Sequence, residues 1–211
     1  AAHKEVADQD NAKGPWKIES FKKTSATGND KNRACLTCHQ KDSKRSHWMG
    51  STHQSRDVDC ASCHQIHAAQ DKVLDKRTEA EVCYTCHKEQ RAKANKSSHL
   101  PISEGNMRCS DCHNSHGSAG PKLMKRDSVN ETCYTCHMEK RGPFVRSHQP
   151  VDEDCGICHD PHGTTAENLL KMRPPFLCHQ CHTLHGANTL ALTGQIASPG
   201  TAGANGITYT Q

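Results

Sequence analysis

Every cysteine in this chain sits in the same five-residue arrangement. The 14 cysteines form seven Cys-x-x-Cys pairs: Cys35/Cys38, Cys60/Cys63, Cys83/Cys86, Cys109/Cys112, Cys133/Cys136, Cys155/Cys158 and Cys178/Cys181. Each pair is followed at once by a histidine: His39, His64, His87, His113, His137, His159 and His182. Cysteines three apart lie on one face of a helical turn. There both sulfurs can reach the vinyl groups on one porphyrin edge, and the next histidine can turn its imidazole under the iron. C-x-x-C-H marks covalent c-type haem attachment, so seven covalently attached haem c groups are expected. Structural zinc shared between two pairs fails on an odd number of pairs. A disulfide framework leaves the trailing histidines unexplained, and thioredoxin-type chemistry expects one CxxC on a strand-helix unit.

Such a chain needs no ordinary core, and its composition would not supply one. Hydrophobic residues make up 33% of the 211 residues, cysteines included, and aromatics only 4%. That is too little apolar surface for a conventional domain of this length. The expected fold class is a multihaem cytochrome c: mostly irregular, with short α-helices at the CxxCH turns, haems forming the core, and little or no β-sheet.

The motifs alternate between two types. "VCYTCHKEQRA" (82–92) aligns with "TCYTCHMEKRG" (132–142), and "CASCHQIHA", "CSDCHNSHG" and "CGICHDPHG" align from Cys60, Cys109 and Cys155. The linkers "KVLDKR" (72–77), "PKLMKR" (121–126) and "NLLKMR" (168–173) correspond as well. The unit is thus a two-haem repeat of 46 to 50 residues. The expected organisation is an N-terminal arm (1–34), two-haem repeats at 35–82, 83–132 and 133–177, and a half repeat with an uncharged C-terminal tail at 178–211.

Ten histidines remain as possible second axial ligands. His53, His99 and His148 follow the first motif type at a distance, whereas His67, His116 and His162 come three residues after the proximal histidine of the second type, as His185 does after the seventh motif. These seven match the irons one for one and leave His3, His47 and His179 as spares. A residue three past the proximal histidine lies within about 6 Å of it on the same side of the porphyrin, so it cannot ligate its own iron from the far side. It should serve a neighbour. Exchange within a unit would give His67, His116 and His162 to the haems at Cys35/Cys38, Cys83/Cys86 and Cys133/Cys136. His53, His99 and His148 would then cross to those at Cys60/Cys63, Cys109/Cys112 and Cys155/Cys158, with the iron served by His185 left open.

The alternating motifs, with "CYTCHMEKRGP" and "CGICHDPHG", resemble the decahaem cytochrome family that includes the periplasmic component of porin-cytochrome conduits in metal-reducing bacteria. The resemblance runs from about residue 33 to 186. It implies electron transfer along bis-histidine haems, redox proteins at either end, and as partners an outer-membrane β-barrel and an outer cytochrome. The seven proximal and seven distal histidines named above are the axial ligands it implies. Two motifs before Cys35 and one after the tail are absent relative to that pattern, which leaves a subunit of an extracellular filament, joined to other copies of itself, as the alternative setting.

No stretch of the sequence approaches the roughly 20 apolar residues of a membrane-spanning helix. The start "AAHKEV" fits a mature terminus left by cleavage at small residues, and c-type haem is attached outside the bacterial inner membrane. A periplasmic, outer-membrane-associated or extracellular location is expected. The formal charge of +4 becomes about -3 once ionised propionates and ferric irons are counted, so the basic balance is no argument for nucleic acid. A reductase would need an iron with an open position. Seven intact motifs and ten candidate distal histidines point to an electron-transfer protein and not an enzyme, with a multihaem reductase as the alternative from another class.

Overall fold

A computed structural model describes residues 27–182 and, further on, two-residue strands at Ile196–Ala197 and Tyr209–Thr210, which pair antiparallel. His3, His185 and most of the arm and tail lie outside the described residues. Seven short α-helices follow in chain order among the described residues: α1 (Gly28–His39), α2 (Thr52–Ser55), α3 (Glu79–Tyr84), α4 (Lys88–Ala94), α5 (Cys109–Cys112), α6 (Val129–Cys133) and α7 (Gln149–Glu153). Between them run 3-10 turns, including Cys60–Ser62, Cys155–Ile157 and Cys178–Gln180. The rest is irregular. None of these helices is long and apolar enough to cross a membrane.

The helix starts follow from their caps. Thr27 and Asp30 close a reciprocal capping box at α1: the Asp30 N–H donates to Thr27 Oγ1 at 3.2 Å, and the Thr27 N–H to Asp30 Oδ2 at 3.2 Å. Ser128 caps α6 by accepting from the Glu131 N–H. Because α1 begins at Gly28, the approach to the first motif is already helical inside the segment assigned to the arm.

Buried hydrophobic side chains are few among the described residues: Trp48, Ala80, Tyr84, Ala94, Met124, Tyr134 and Ala166. Only Ala80, Tyr84 and Ala94 join into a cluster, with Ile102 and Cys109 against it. The polypeptide on its own therefore wraps very little apolar volume, and large side chains such as Leu74, Val145 and Phe176 stand exposed. Burial that ordinarily drives folding has to come from the groups the cysteines carry.

Candidate haem-binding sites

Each motif closes one tight turn in which the histidine N–H donates to the carbonyl of the first cysteine. His64 to Cys60, His87 to Cys83, His113 to Cys109, His137 to Cys133, His159 to Cys155 and His182 to Cys178 span 2.8 to 3.0 Å. First-type motifs are reached along α1, α3 and α6, whereas second-type motifs sit on α5 or on 3-10 turns entered from extended backbone. The seventh motif turns like the second type although the repeat puts it in the place of the first.

Buried polar side chains lock the two motifs of a unit together. Asn32, three residues before Cys35, accepts from the Cys60 N–H at 2.8 Å and donates to Val58 O. Asn130, three before Cys133, accepts from the Cys155 N–H at 2.6 Å and donates to Val151 O and Asp152 O. In the middle unit Ala80 occupies this position, and the neighbouring Glu79 accepts instead from the backbone and hydroxyl of Ser110. The ion pairs beside these contacts are reversed in sign: Lys31 with Asp59 in the first unit, Glu79 with Arg108 in the second.

Sulfurs of successive motifs meet in chain order. Burial and the adjacent Cys35 push the Cys60 thiol up to about 11, and burial and Cys155 push that of Cys133 up to about 12. Cys83 is raised mainly through its hydrogen bond with Cys109, whose own thiol is held down by the same contact. Between units the second cysteines take over: after burial, Cys86 is the main influence on Cys63, while Cys112 feels Asp111 and Cys136. In a haem-loaded protein these thiols stand for thioethers. Haems held by these cysteines would have their attached edges side by side.

Four of the 14 expected attachment cysteines depart from this arrangement. The structure joins none of Cys38, Cys158, Cys178 and Cys181 to the sulfur of another motif; Cys158 and Cys178 are half-buried, and Cys38 and Cys181 are exposed, as Cys86 and Cys136 also are. Position explains the first: Cys38 belongs to the motif that opens the series, with no unit before it among the described residues. By the register of Cys63 with Cys86 and Cys112 with Cys136, Cys158 should meet Cys181. Its backbone is held as in the earlier second-type motifs, the N–H donating to Cys155 O at 3.3 Å and the carbonyl accepting from the Lys171 N–H at 2.9 Å, as that of Cys112 accepts from Lys125. Cys181 closes its own turn in the same way, its N–H donating to Cys178 O at 3.2 Å. The reading of Cys38, Cys158, Cys178 and Cys181 as haem attachment sites thus rests on the motif alone, and the run of neighbouring sulfurs stops at Cys155.

The second-type proximal histidines are held by their Nδ1 atoms. His113 Nδ1 lies 2.9 Å from Lys122 O, and His159 Nδ1 lies 2.8 Å from Asn168 O. Both carbonyls are aimed by consecutive left-handed residues, Lys122–Leu123 and Asn168–Leu169. In the first unit the Asp71 carboxylate takes this place, 2.7 Å from His64 Nδ1. An Nδ1–H donated in this way fixes the tautomer that leaves Nε2 for a metal.

Four pairs of imidazoles face each other at a spacing that suits an iron. With a metal-nitrogen distance of about 2.0–2.1 Å, two axial rings on one iron should have centroids about 6.3 Å apart. The observed separations are 6.0 Å for His64 and His116, 6.2 Å for His113 and His162, 6.1 Å for His148 and His182, and 6.1 Å for His53 and His87. The first three pairs lie near parallel, at 6°, 12° and 22°; the fourth is at 75°. Burial, ahead of neighbouring charge, holds His113 and His116 below the usual histidine value, which keeps them neutral as ligation requires. The residues thus fit bis-histidine haem. Among the described residues no group of three or more His, Cys, Asp or Glu side chains converges as a metal-ion cage.

These partners differ from exchange within a unit. His162 faces His113 and not His137; His116 faces His64 and not His87; His53 faces His87, and His148 faces His182. The physical reason is that the loop after each later second-type motif folds back on the preceding unit. Gly117 lies so close to His47 O, and Gly163 to Lys93 O, that a Cβ on either would sit 2.1 Å from the carbonyl. Around Gly163 the loop is tied down by the Lys93–Asp160 ion pair and the bridge between Ser98 and Thr164. Around Gly117, His53 Nδ1 donates to Ser115 O. Second-type histidines are thereby carried back one unit, and first-type ones forward.

The remaining candidates are differently placed. His99 directs Nε2 to Glu104 Oε1 at 3.0 Å, and that contact raises its proton affinity. His137 Nδ1 lies 3.5 Å from Glu139, His39 Nδ1 lies 3.3 Å from Arg45, and His67 is exposed. A signal in the sequence could have indicated the fold-back: glycine follows His116 and His162, where alanine follows His67.

Comparison with known proteins agrees with the motifs. The doubled CXXCH motif family matches residues 99–142 and 148–187, and the NrfB-like cytochrome c-type protein family matches residues 1–78. The multiheme cytochrome MtrA of Shewanella baltica is 47% identical over 201 residues, which is 95% of this chain and 60% of that protein. The cytochrome c-type protein NrfB of Escherichia coli is 32% identical over 69 residues, 31% of this chain and 36% of that protein. The chain thus spans less than two thirds of the curated relatives it matches. With paired CXXCH motifs that bind haem c covalently, it is a multihaem c-type cytochrome.

Proposed function

We propose that the chain carries electrons along seven covalently bound, bis-histidine haems arranged in sequence order, within a conduit of extracellular respiration. The observation that carries this reading is the set of facing imidazoles, joined end to end by neighbouring cysteines. Within each unit the first cysteines meet, and between units the second cysteines approach one another. The run of neighbouring sulfurs therefore extends from Cys35 to Cys155. By position, His64/His116, His87/His53, His113/His162 and His182/His148 are four of the axial pairs. The same register assigns His99 to His137. It also gives His39 the imidazole of His3, which precedes it by 36 residues where His53 and His148 precede their partners by 34. His185 then serves His159, and His67 has no iron of this sequence to serve.

Similarity to MtrA and the resemblance described above support periplasmic or outer-membrane residence, an outer-membrane porin and an outer cytochrome as partners, and a role without catalysis of its own. Ligation is tested with His162→Ala in the haem-loaded protein. Electron paramagnetic resonance should show one high-spin haem in seven. The same substitution should add no high-spin signal when Cys109 and Cys112 have been replaced, and should add one when Cys133 and Cys136 have been replaced instead. The opposite pattern would return the ligand to its own unit.

A further inference from the structure

We infer that Asp71 is a potential-setting residue, whose hydrogen bond to His64 makes the haem at Cys60/Cys63 harder to reduce than its counterparts at Cys109/Cys112 and Cys155/Cys158. This rests on the reading of His64 and His116 as one axial pair. Three equivalent proximal histidines each have an oxygen on Nδ1, but the oxygens differ in kind. His113 and His159 face backbone carbonyls, at 2.9 and 2.8 Å, while His64 faces a carboxylate at 2.7 Å. The substitution is local. The turn that aims Lys122 O and Asn168 O uses two left-handed residues, and the corresponding "KVLDKR" segment has none; Asp71 supplies the acceptor from its side chain.

The carboxylate is well placed for this task. Oδ1 accepts from the N–H groups of Gln65 and Val73, at 3.2 and 3.4 Å, which leaves Oδ2 for His64. Its side chain is 15% exposed and that of His64 is 29% exposed, so water screens the contact little. Among the described residues no Lys or Arg is paired with Asp71, whereas Asp160, the carboxylate 3.3 Å from His162 Nδ1, is shared with Lys93. Beyond His64, the groups acting on His116 are Arg45 and Asp42, which pair with each other, and His53. An anion on Nδ1–H makes the ligating nitrogen a stronger donor and so favours ferric iron over ferrous.

A charge-assisted hydrogen bond is roughly twice as strong as a neutral one. Asp71→Asn keeps an acceptor oxygen and removes the charge. In a redox titration of the haem-loaded protein, the ferrous-to-ferric ratio of one haem should rise about tenfold at fixed potential, equivalent to about 59 mV for a one-electron couple. One low-spin resonance should change its g-values while all seven haems stay low-spin. Asp71→Glu, which keeps the charge, should restore most of the difference. Should the couples move together or not at all with every haem low-spin, the role of Asp71 is overturned while the ligation stands. A high-spin haem at Cys60/Cys63 in the unaltered protein would overturn the ligation as well.

Discussion

Asn130 offers a quantitative test of how the two motifs of a unit are held. Its side chain is buried and makes three contacts with the second motif's approach: from the Cys155 N–H at 2.6 Å, to Val151 O at 2.9 Å and to Asp152 O at 3.2 Å. Asn130→Ala removes them all. The Cys155 N–H is then left without its acceptor, at about 2 kcal/mol, while each of the two carbonyls loses a net bond of about 0.5 kcal/mol because water can replace the amide there. The sum is about 3 kcal/mol. For a chain of this size that corresponds to a fall of about 6–12 °C in melting temperature. The assay is thermal unfolding of the oxidised protein, followed by circular dichroism, with an intact-mass check that the haem count is unchanged. A loss below about 1 kcal/mol would refute the reasoning. Ala80, at the same position in the middle unit, is not a counterexample, because Glu79 there holds Ser110.

Two further outcomes follow from the same contacts. Gly163→Ala sets a Cβ 2.1 Å from Lys93 O at a φ of +132°, so it should cost about 3 kcal/mol and give a high-spin fraction at the haem of His113, visible in the oxidised spectrum; an unchanged spectrum would sink the fold-back argument. Asp59 is pushed up by burial, but its hydrogen bonds from Ser62 and Lys31 outweigh this and leave its carboxyl below the usual value. Its contribution is present above about pH 3.9 and lost as pH falls through the lower folded value, so Asp59→Asn should flatten the acid limb of stability against pH, and an unchanged limb would count against it.

What was legible in the sequence was whatever covalent chemistry and local turns decide. Cys-x-x-Cys-His closes within a single turn, so the motif turns, the alternation of motif types and the near absence of sheet among the described residues could be read without knowing where any loop goes. The partner of His162 could not be read that way. Three residues of spacing forbid its own iron, but they do not say which neighbour it meets, and slack in the chain allows either the same unit or the one before. That choice is made by backbone contact at a distance: Gly163 against Lys93 O and Gly117 against His47 O, approaches that only a residue without a Cβ permits. The glycines are in the sequence, yet their role depends on the carbonyl they meet.

The direction of that choice changes what the repeat is. With exchange inside a unit, each two-haem module would be complete, and modules would be joined by little more than linkers. With His53 carried forward and His116 carried back, the first and second units each lend the other an imidazole, and a proximal and a distal ring from different units stand 6.0 to 6.1 Å apart on both sides of the exchange. Separating the two units would then require giving up two facing pairs. Metal-ligand bonds would hold the spacing of adjacent haems where the chain has so few buried hydrophobic side chains to do it. A wire assembled this way keeps its order because its ligands are shared between neighbours.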